Sequence, residues 1–534
     1  MPDWLEKAVF YEIYPQTYYD SNGDGIGDLP GIIQKLDYLQ RLGVDAVWLN
    51  PCFASPFGDA GYDVSDFYQI APRYGTNDDM KRLLAEASKR GIRILLDLVP
   101  GHTSTEHPWF QASRRREHND YSDRYIWTDS VWTWNAPGVQ MVIGAAERNA
   151  NYVTNFFHFQ PALNYGFAHP DPNHPWQQPV DAPGPQAARR ELKNIMKFWL
   201  DMGASGFRVD MAGSLVKNDP NGEETSRLWR DVRAWLDKDY PEARLVSEWS
   251  QPQVAIPAGF HMDFLLPFAS QGYQSLFRKS SGRGQARYGW SFFDRSGHGN
   301  IREFLDEYMP LLQATSGKGF IAIPSGNHDT TPRLGDGRTP RDLALAFMFL
   351  LTVPGVPFIY YGDEIGMRSP DRLPSKEGGY DRTPARTPMQ WDGGANAGFS
   401  SAPADRLYLP VDSAADRPNV AAQQEDNASV LNCVRRLIAL RRAHPALGAS
   451  GAFEPIYAEA GKVPFVYRRR LGDETIFVAL NPAGQPCQVM LGEEILKQAP
   501  EVLYGERDSF ARTGDAGWTL SLPGVSGGIY LVRD

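Results

Sequence analysis

Apolar residues recur along the chain in two alternating patterns, one helical and one continuous. From Asp28, the positions Ile32, Ile33, Leu36, Leu39 and Leu42 share one helical face, Gly43 supplies a stop, and residues 44–51 (VDAVWLNP) follow as an apolar run. The unit then returns. A helix opened by Asn77 passes through Met80, Leu83, Leu84 and Ala87, ends at Gly91, and precedes the run at 92–100 (IRILLDLVP). A third helix over 185–202 stops at Gly203, ahead of 206–210 (GFRVD). With 9–14, 244–249, 262–268, 320–326 and 356–362 the runs number eight. Eight strands buried on both faces and mostly separated by helices predict an α/β fold, a (β/α)8 TIM barrel. An open doubly wound sheet is the alternative, but no GxGxxG or Walker-type loop follows any of the runs.

Two stretches break the alternation. Residues 104–183 are polar, aromatic and rich in Pro and Asn, too long for a simple loop, and predict an inserted subdomain after strand 3. Residues 363–426 cluster Gly, Pro and Asp and are expected at the mouths of the strands. Asp426 or Asn427 is then expected to cap a last helix through Val430, Cys433, Val434 and Leu437. Beyond 450 the texture changes to short strand pairs: 464–471 and 475–480 flank a turn at Gly472, and 528–532 closes a C-terminal antiparallel β-domain. The expected division is barrel at 1–103 and 184–449, insert at 104–183 and β-domain at 450–534.

Composition narrows the function. Among 534 residues, 64 acidic against 54 basic side chains leave a net charge of -10, which repels phosphate backbones and disfavours a nucleic-acid partner. No run reaches the roughly 20 apolar residues of a membrane helix. The first 14 residues lack a basic stretch followed by an apolar one, and three scattered cysteines make no disulfide framework. A cytoplasmic protein acting on a neutral substrate is the expectation.

Catalytic groups in such a barrel stand at the carboxyl ends of the strands. Asp210 ends strand four, Glu248 ends strand five and Asp329 follows strand seven. Arg208, two residues before Asp210, shares its face of the strand. It is expected to lower the pKa of Asp210 and keep it ionised as a nucleophile, while desolvation raises Glu248 and keeps it protonated as an acid. Two carboxyl groups in these roles are the machinery of glycoside hydrolysis. A buried structural ion pair is the alternative for Arg208 and Asp210.

The segments DLVPGH at 97–102, GFRVD at 206–210, SEW around Glu248 and NHD at 327–329 together resemble the α-amylase superfamily of retaining glycoside hydrolases and transglycosylases. Within it, YEIYPQTYYDSNGDGIGDLPG, EHPWF, YGDE and RTPMQWD are similar to the oligo-1,6-glucosidase, α-glucosidase and trehalose synthase branch. The resemblance implies Asp210 as nucleophile, Glu248 as acid and then base, and Asp329 as the third carboxylate, with His102, Arg208 and His328 around the glucose. It further implies that Asp63 and Arg386 pair to close subsite −1 and that Tyr62 stacks on the sugar. It also implies a structural Ca2+, or Mg2+, held by Asp20, Asn22, Asp24, the Ile26 carbonyl and Asp28, and no organic cofactor. The loop DSNGDGIGD, with oxygen donors at alternate positions, suits a hard cation, although Gly31 stands where an EF-hand has glutamate.

The chain departs from the branch at Gly101, where Asn is usual before the histidine, at Ala162 in QPALN where Asp is usual, at Met211 after the nucleophile, and at Ser247 where Gly is frequent. The expected activity is an exo-acting retaining α-glucosidase that frees glucose from short α-glucosides or oligosaccharides. Alternatives are a transglucosylase or a trehalose synthase-like isomerase using the same intermediate and, more remotely, a catalytically inactive binding relative. Retention of all three carboxylates speaks against the last.

Overall fold

The computed structural model describes residues 4–278, 290–370, 373–506, 509–513 and 517–532. Eight parallel strands close into a barrel: β1 Phe10–Ile13, β2 Ala46–Leu49, β3 Arg93–Leu98, β4 Gly206–Val209, β5 Arg244–Ser247, β6 Met262–Phe264, β7 Phe320–Pro324 and β8 Val356–Tyr360. Each pairs with its neighbours in chain order, and β8 returns to β1. Around them lie α1 Leu29–Leu42, α2 Asn77–Lys89, α3 Pro183–Met202, α4 Glu223–Asp239, α5 Gln271–Phe277, α6 Ile301–Thr315, α7 Pro340–Thr352 and α8 Val430–Ala443. No helix among the described residues is long and apolar enough to cross a membrane.

The two-residue period of a strand sorts its side chains into two packing environments. Phe10, Ala46, Leu95, Val246, Met262, Phe264, Val356 and Phe358 fill the barrel interior, with Phe10 stacked on Phe358 at 4.4 Å between centroids. Tyr11, Val47, Ile94, Leu96, Phe207, Leu245 and Ile359 pack outward in the larger core shared with the helices. Followed toward the carboxyl ends, the inward positions turn polar: Glu12, Asp97, Arg208 and Asp210 are all buried. This polar layer on an apolar floor is the base of the functional site.

Local chemistry places the helix ends. Asp28 caps α1 by accepting the Gly31 N–H at 2.6 Å, and Gly43 ends the helix at φ 96°. Thr76 caps α2 in a reciprocal box with Asp79. The cap of α8 differs from expectation: Ser429 accepts from the Asn432 N–H, while Asp426 follows a separate short helix, Val420–Glu425, and bonds the Ala428 N–H.

Between β3 and β4 the chain forms a short helix, Pro108–Ser113, and a hairpin of Gln140–Val142 with Tyr152–Thr154. At the other end, Phe465–Leu471 pairs antiparallel with Glu474–Asn481, which pairs in turn with Ser526–Val532. Arg469 anchors this β-domain to the barrel by donating to the Thr352 carbonyl at the end of α7 and to the Gly448 carbonyl at 2.6 Å.

The barrel seam carries a buried acid. Glu364, just after β8, accepts the hydroxyls of Tyr11 on β1 (2.8 Å) and Tyr38 on α1 (2.6 Å). Burial pushes its carboxyl from an ordinary 4.5 up to about 7, against the pull of those two hydroxyls. A carboxyl raised on folding stabilises fully below its unfolded value, and that contribution is lost as pH rises through the folded one. Relative to Glu364→Gln, the wild-type protein is therefore expected to lose stability as pH rises from 4.5 to about 7. Melting curves of both proteins across that window test it, and a constant difference would count against it.

Candidate active site

Arg208 is the hub of the site. Its guanidinium, almost without exposure, bonds Asp97 Oδ1 (3.0 Å), Asp210 Oδ1 (2.8 Å) and Glu248 Oε2 (3.0 Å). Asp97 lies beside Arg208 in the β3–β4 register, and its other oxygen accepts Trp48 Nε1 and the Tyr62 hydroxyl, each at 3.0 Å. Glu248 Oε2 also accepts the Met211 N–H at 3.0 Å. Met211 (φ 42°) and Ser250 (φ 57°), beside the two catalytic candidates, hold left-handed conformations that non-glycine residues avoid.

The electrostatics correct one expectation. Burial pushes the Asp210 carboxyl well above the usual range, and the Glu248 charge adds to it; the opposing pull of Arg208 is smaller. Burial likewise pushes Asp97 up to about 6. One guanidinium facing three carboxylates leaves excess negative charge, which adds to the upward push on Asp210.

Asp329 is the ionised counterpart. Burial opposes its charge, yet His328, Arg382 and Arg386 together hold its carboxyl well below the usual range. Asp329 Oδ1 accepts from Arg386 (2.8 Å) and Arg382 (3.0 Å). His328 is held between Glu12 at Nδ1 (2.8 Å) and the Tyr62 hydroxyl at Nε2 (2.9 Å), with its ring stacked on Tyr62. Burial lowers His328 and raises Glu12, which keeps that contact uncharged overall.

A cavity of about 390 Å³ opens above these groups. Of the residues singled out from sequence, Tyr62, His102, Asp210, Glu248 and Asp329 line it, with Arg208, His328 and Arg386 immediately behind. Asp63 is elsewhere. Its carboxylate is spent inside its own loop on Ser55 Oγ (3.0 Å) and the N–H groups of Gly58 (2.8 Å) and Asp59 (3.0 Å). The expected Asp63–Arg386 pair is thus replaced by Asp59 and Arg382, 3.5 Å apart, both lining the cavity. Gln160 of the insert supports Asp59 at 2.9 Å. Each member of the observed pair stands four residues before the expected one, and no local signal separates the two acids or the two arginines.

The substitution at Gly101 also has a structural reason. A Cβ there would lie 2.5 Å from Asn155 Nδ2. Asn155 comes from the insert, contacts His102 Nδ1 at 3.2 Å, and accepts from Lys217 Nζ at 2.7 Å. An amide beside the histidine is therefore supplied from elsewhere in the chain. Burial lowers His102 to about 3, which keeps it neutral.

The 20–28 loop folds as serial Asx turns. Asp20 accepts the N–H groups of Asn22, Gly23 and Gly25, Asn22 accepts that of Asp24, and Asp24 that of Ile26. Asp20 and Asp28 are buried, and burial together with the Asp20 charge raises Asp28. This oxygen-rich acidic set suits a hard divalent cation. As placed, its side chains face the loop's own N–H groups, and among the described residues no three acidic, histidine or cysteine side chains gather into a metal cage.

Arg208→Lys tests the hub, because one ammonium cannot replace a planar fork that serves three carboxylates. The variant is expected to lose on the order of a thousandfold in kcat/KM, in the range for removing a preorganised electrostatic contact. Steady-state kinetics beside a melting curve checks this; retained activity would remove Arg208 from the machinery.

The chain matches the model of the alpha amylase catalytic domain over residues 12–450. It is 33% identical to the trehalose synthase/amylase TreS of Mycobacterium tuberculosis (strain CDC 1551 / Oshkosh), over 98% of this chain and 89% of that protein. It is 32% identical to the oligo-1,6-glucosidase of Parageobacillus thermoglucosidasius, over 95% of each. Among solved structures, the trehalulose synthase MutB from Pseudomonas mesoacidophila MX-45 superposes over the full length of both chains with a TM-score of 0.80 at 27% identity. A MutB variant bound to its substrate sucrose superposes with a TM-score of 0.81 at the same identity. A barrel with this paired-carboxylate centre, matched over most of its length, makes the protein a glycosidase-type enzyme belonging to the α-amylase family.

Proposed function

We propose that the protein is an exo-acting retaining α-glucosidase that removes one glucose at a time from the non-reducing end of short α-glucosides. The observation that carries the reading is the Asp59–Arg382 contact, with Arg382 also bonded to Asp329 at 3.0 Å. It joins the loop after β2 to the excursion after β8 at one side of the cavity, a blind end suited to a single terminal sugar. In this reading the ionised Asp210 attacks the anomeric carbon as Glu248 protonates the departing oxygen. Glu248 then takes a proton from the incoming water, which releases glucose with retention. Asp329, held ionised, stabilises the positive charge that develops on the sugar.

A specific feature favours transfer or isomerisation as the second reading. Phe156, Trp249 and Phe268 line the cavity, and an aromatic wall holds a sugar acceptor near the intermediate better than it holds water. The relatives include proteins named trehalose synthase and trehalulose synthase. Maltose, isomaltose, sucrose and trehalose, followed by NMR, distinguish the readings: free glucose supports hydrolysis, a new disaccharide supports transfer, and no turnover of any refutes both. Asp59→Ala is expected to raise KM about tenfold with a smaller change in kcat, as for loss of a binding contact made equally in ground and transition states. An unchanged KM would argue against the blind end.

For the 20–28 loop we propose a structural Ca2+ or Mg2+, held by Asp20, Asn22, Asp24, the Ile26 carbonyl and Asp28, that offsets repulsion between buried carboxylates. A chelator then lowers the melting temperature and added Ca2+ restores it. An unmoved midpoint with no bound ion on elemental analysis would dismiss the cation. The buried Cys52 and Cys433 and the part-buried Cys487 are all free thiols, as a reducing cytoplasmic setting permits.

A further inference from the structure

The two residues flanking Glu248 are tied to one buried carboxylate outside the cavity. Asp263 lies on β6 between Met262 and Phe264, both packed in the barrel interior, so its own side chain faces away from the axis. It is fully buried and accepts four hydrogen bonds from a single neighbouring segment. Oδ1 takes Ser247 Oγ (2.6 Å), the Trp249 N–H (3.1 Å) and the Ser250 N–H (3.3 Å), and Oδ2 takes the Gln251 N–H (2.8 Å). Within that segment Ser250 turns at φ 57°, a conformation that needs support from outside the turn. The other side of Glu248 is fixed separately, its Oε2 by the Met211 N–H and Arg208, both at 3.0 Å.

We propose that Asp263, acting through Ser247 and the turn that follows, is the positioning residue for the Glu248 general acid. The carboxyl itself is located by Met211 and Arg208, while the backbone that carries it is located by Asp263. General acid transfer needs the donor within hydrogen-bond reach of the leaving oxygen, so a slack 247–251 turn misplaces the proton without removing it. The inference rests on Glu248 acting as the acid in the proposed glucosidase reaction.

Asp263→Asn and Ser247→Ala test it with two substrates that differ only in their need for a proton. From a disaccharide the second sugar departs as an alkoxide that must be protonated, whereas fluoride departs from α-glucosyl fluoride unaided. For Asp263→Asn, kcat/KM on the disaccharide is expected to fall roughly tenfold to a hundredfold, part of the contribution of a general acid, and on the fluoride to stay within about threefold. Ser247→Ala removes one donor of four and is expected to show the same split to a smaller degree, which keeps the test available if Asp263→Asn does not fold. Equal losses on both substrates, or none on either, overturn the assignment. Failure of the glucosidase reading shows in the wild-type enzyme alone, as no turnover of the disaccharide; failure of the inference shows only in the variant-to-wild-type ratios.

Discussion

A guanidinium taken out of water must be met by acceptors on every side, and in this protein that requirement organises the catalytic face. Effective burial of such a charge costs several kcal/mol unless it is paired. Arg208 is paired three times, by Asp97 from β3, Asp210 after β4 and Glu248 after β5. Three consecutive strands are thereby held in one register at the level where chemistry occurs. The same arithmetic adds to the upward push on Asp210, because one positive charge cannot neutralise three negative ones.

The remaining groups are placed by loops that lean on this centre. Tyr62 bonds Asp97 and His328 with one hydroxyl and so links the Arg208 cluster to the Asp329 cluster. Asp329 is surrounded differently, with two arginines on a single oxygen, and its carboxyl is held down where that of Asp210 is pushed up. Two carboxylates in one cavity thus carry opposite shifts because one shares a single arginine with two other acids while the other is met by two arginines, one of them shared with Asp59. The insert adds Asn155 beside His102 and Gln160 beside Asp59, so the long excursion between β3 and β4 supports the walls of the site as well as covering it.

All eight barrel strands were legible from sequence, because parallel strands buried on both faces must be apolar throughout and their helices must be amphipathic. The same pattern located Asp210, Glu248 and Asp329, since a charged residue ending such a run has only the mouth of the barrel to face. Legibility fails wherever two chemically equivalent residues lie a few positions apart in a loop. Asp59 and Asp63 differ only in which donors the folded loop presents to them, and Arg382 and Arg386 only in which carbonyl and carboxylate acceptors they meet. The cap of α8 falls at Ser429 and not at Asp426 because Asp426 follows the short helix Val420–Glu425 as its C-cap and bonds the Ala428 N–H.

The sequence by itself determined the barrel, the order of its parts and the acids at its mouth, because hydrophobic periodicity and strand ends are local properties of the chain. Only the tertiary structure decided in which direction each buried carboxyl is pushed, which arginine meets Asp59, and that Asp263 and Asn155 stand against the segments around the site. Those outcomes depend on desolvation and on contacts between residues far apart in the chain. Asp97 meets Arg208 across 111 positions and Arg382 meets Asp59 across 323, and such energies exist only once the chain has closed on itself.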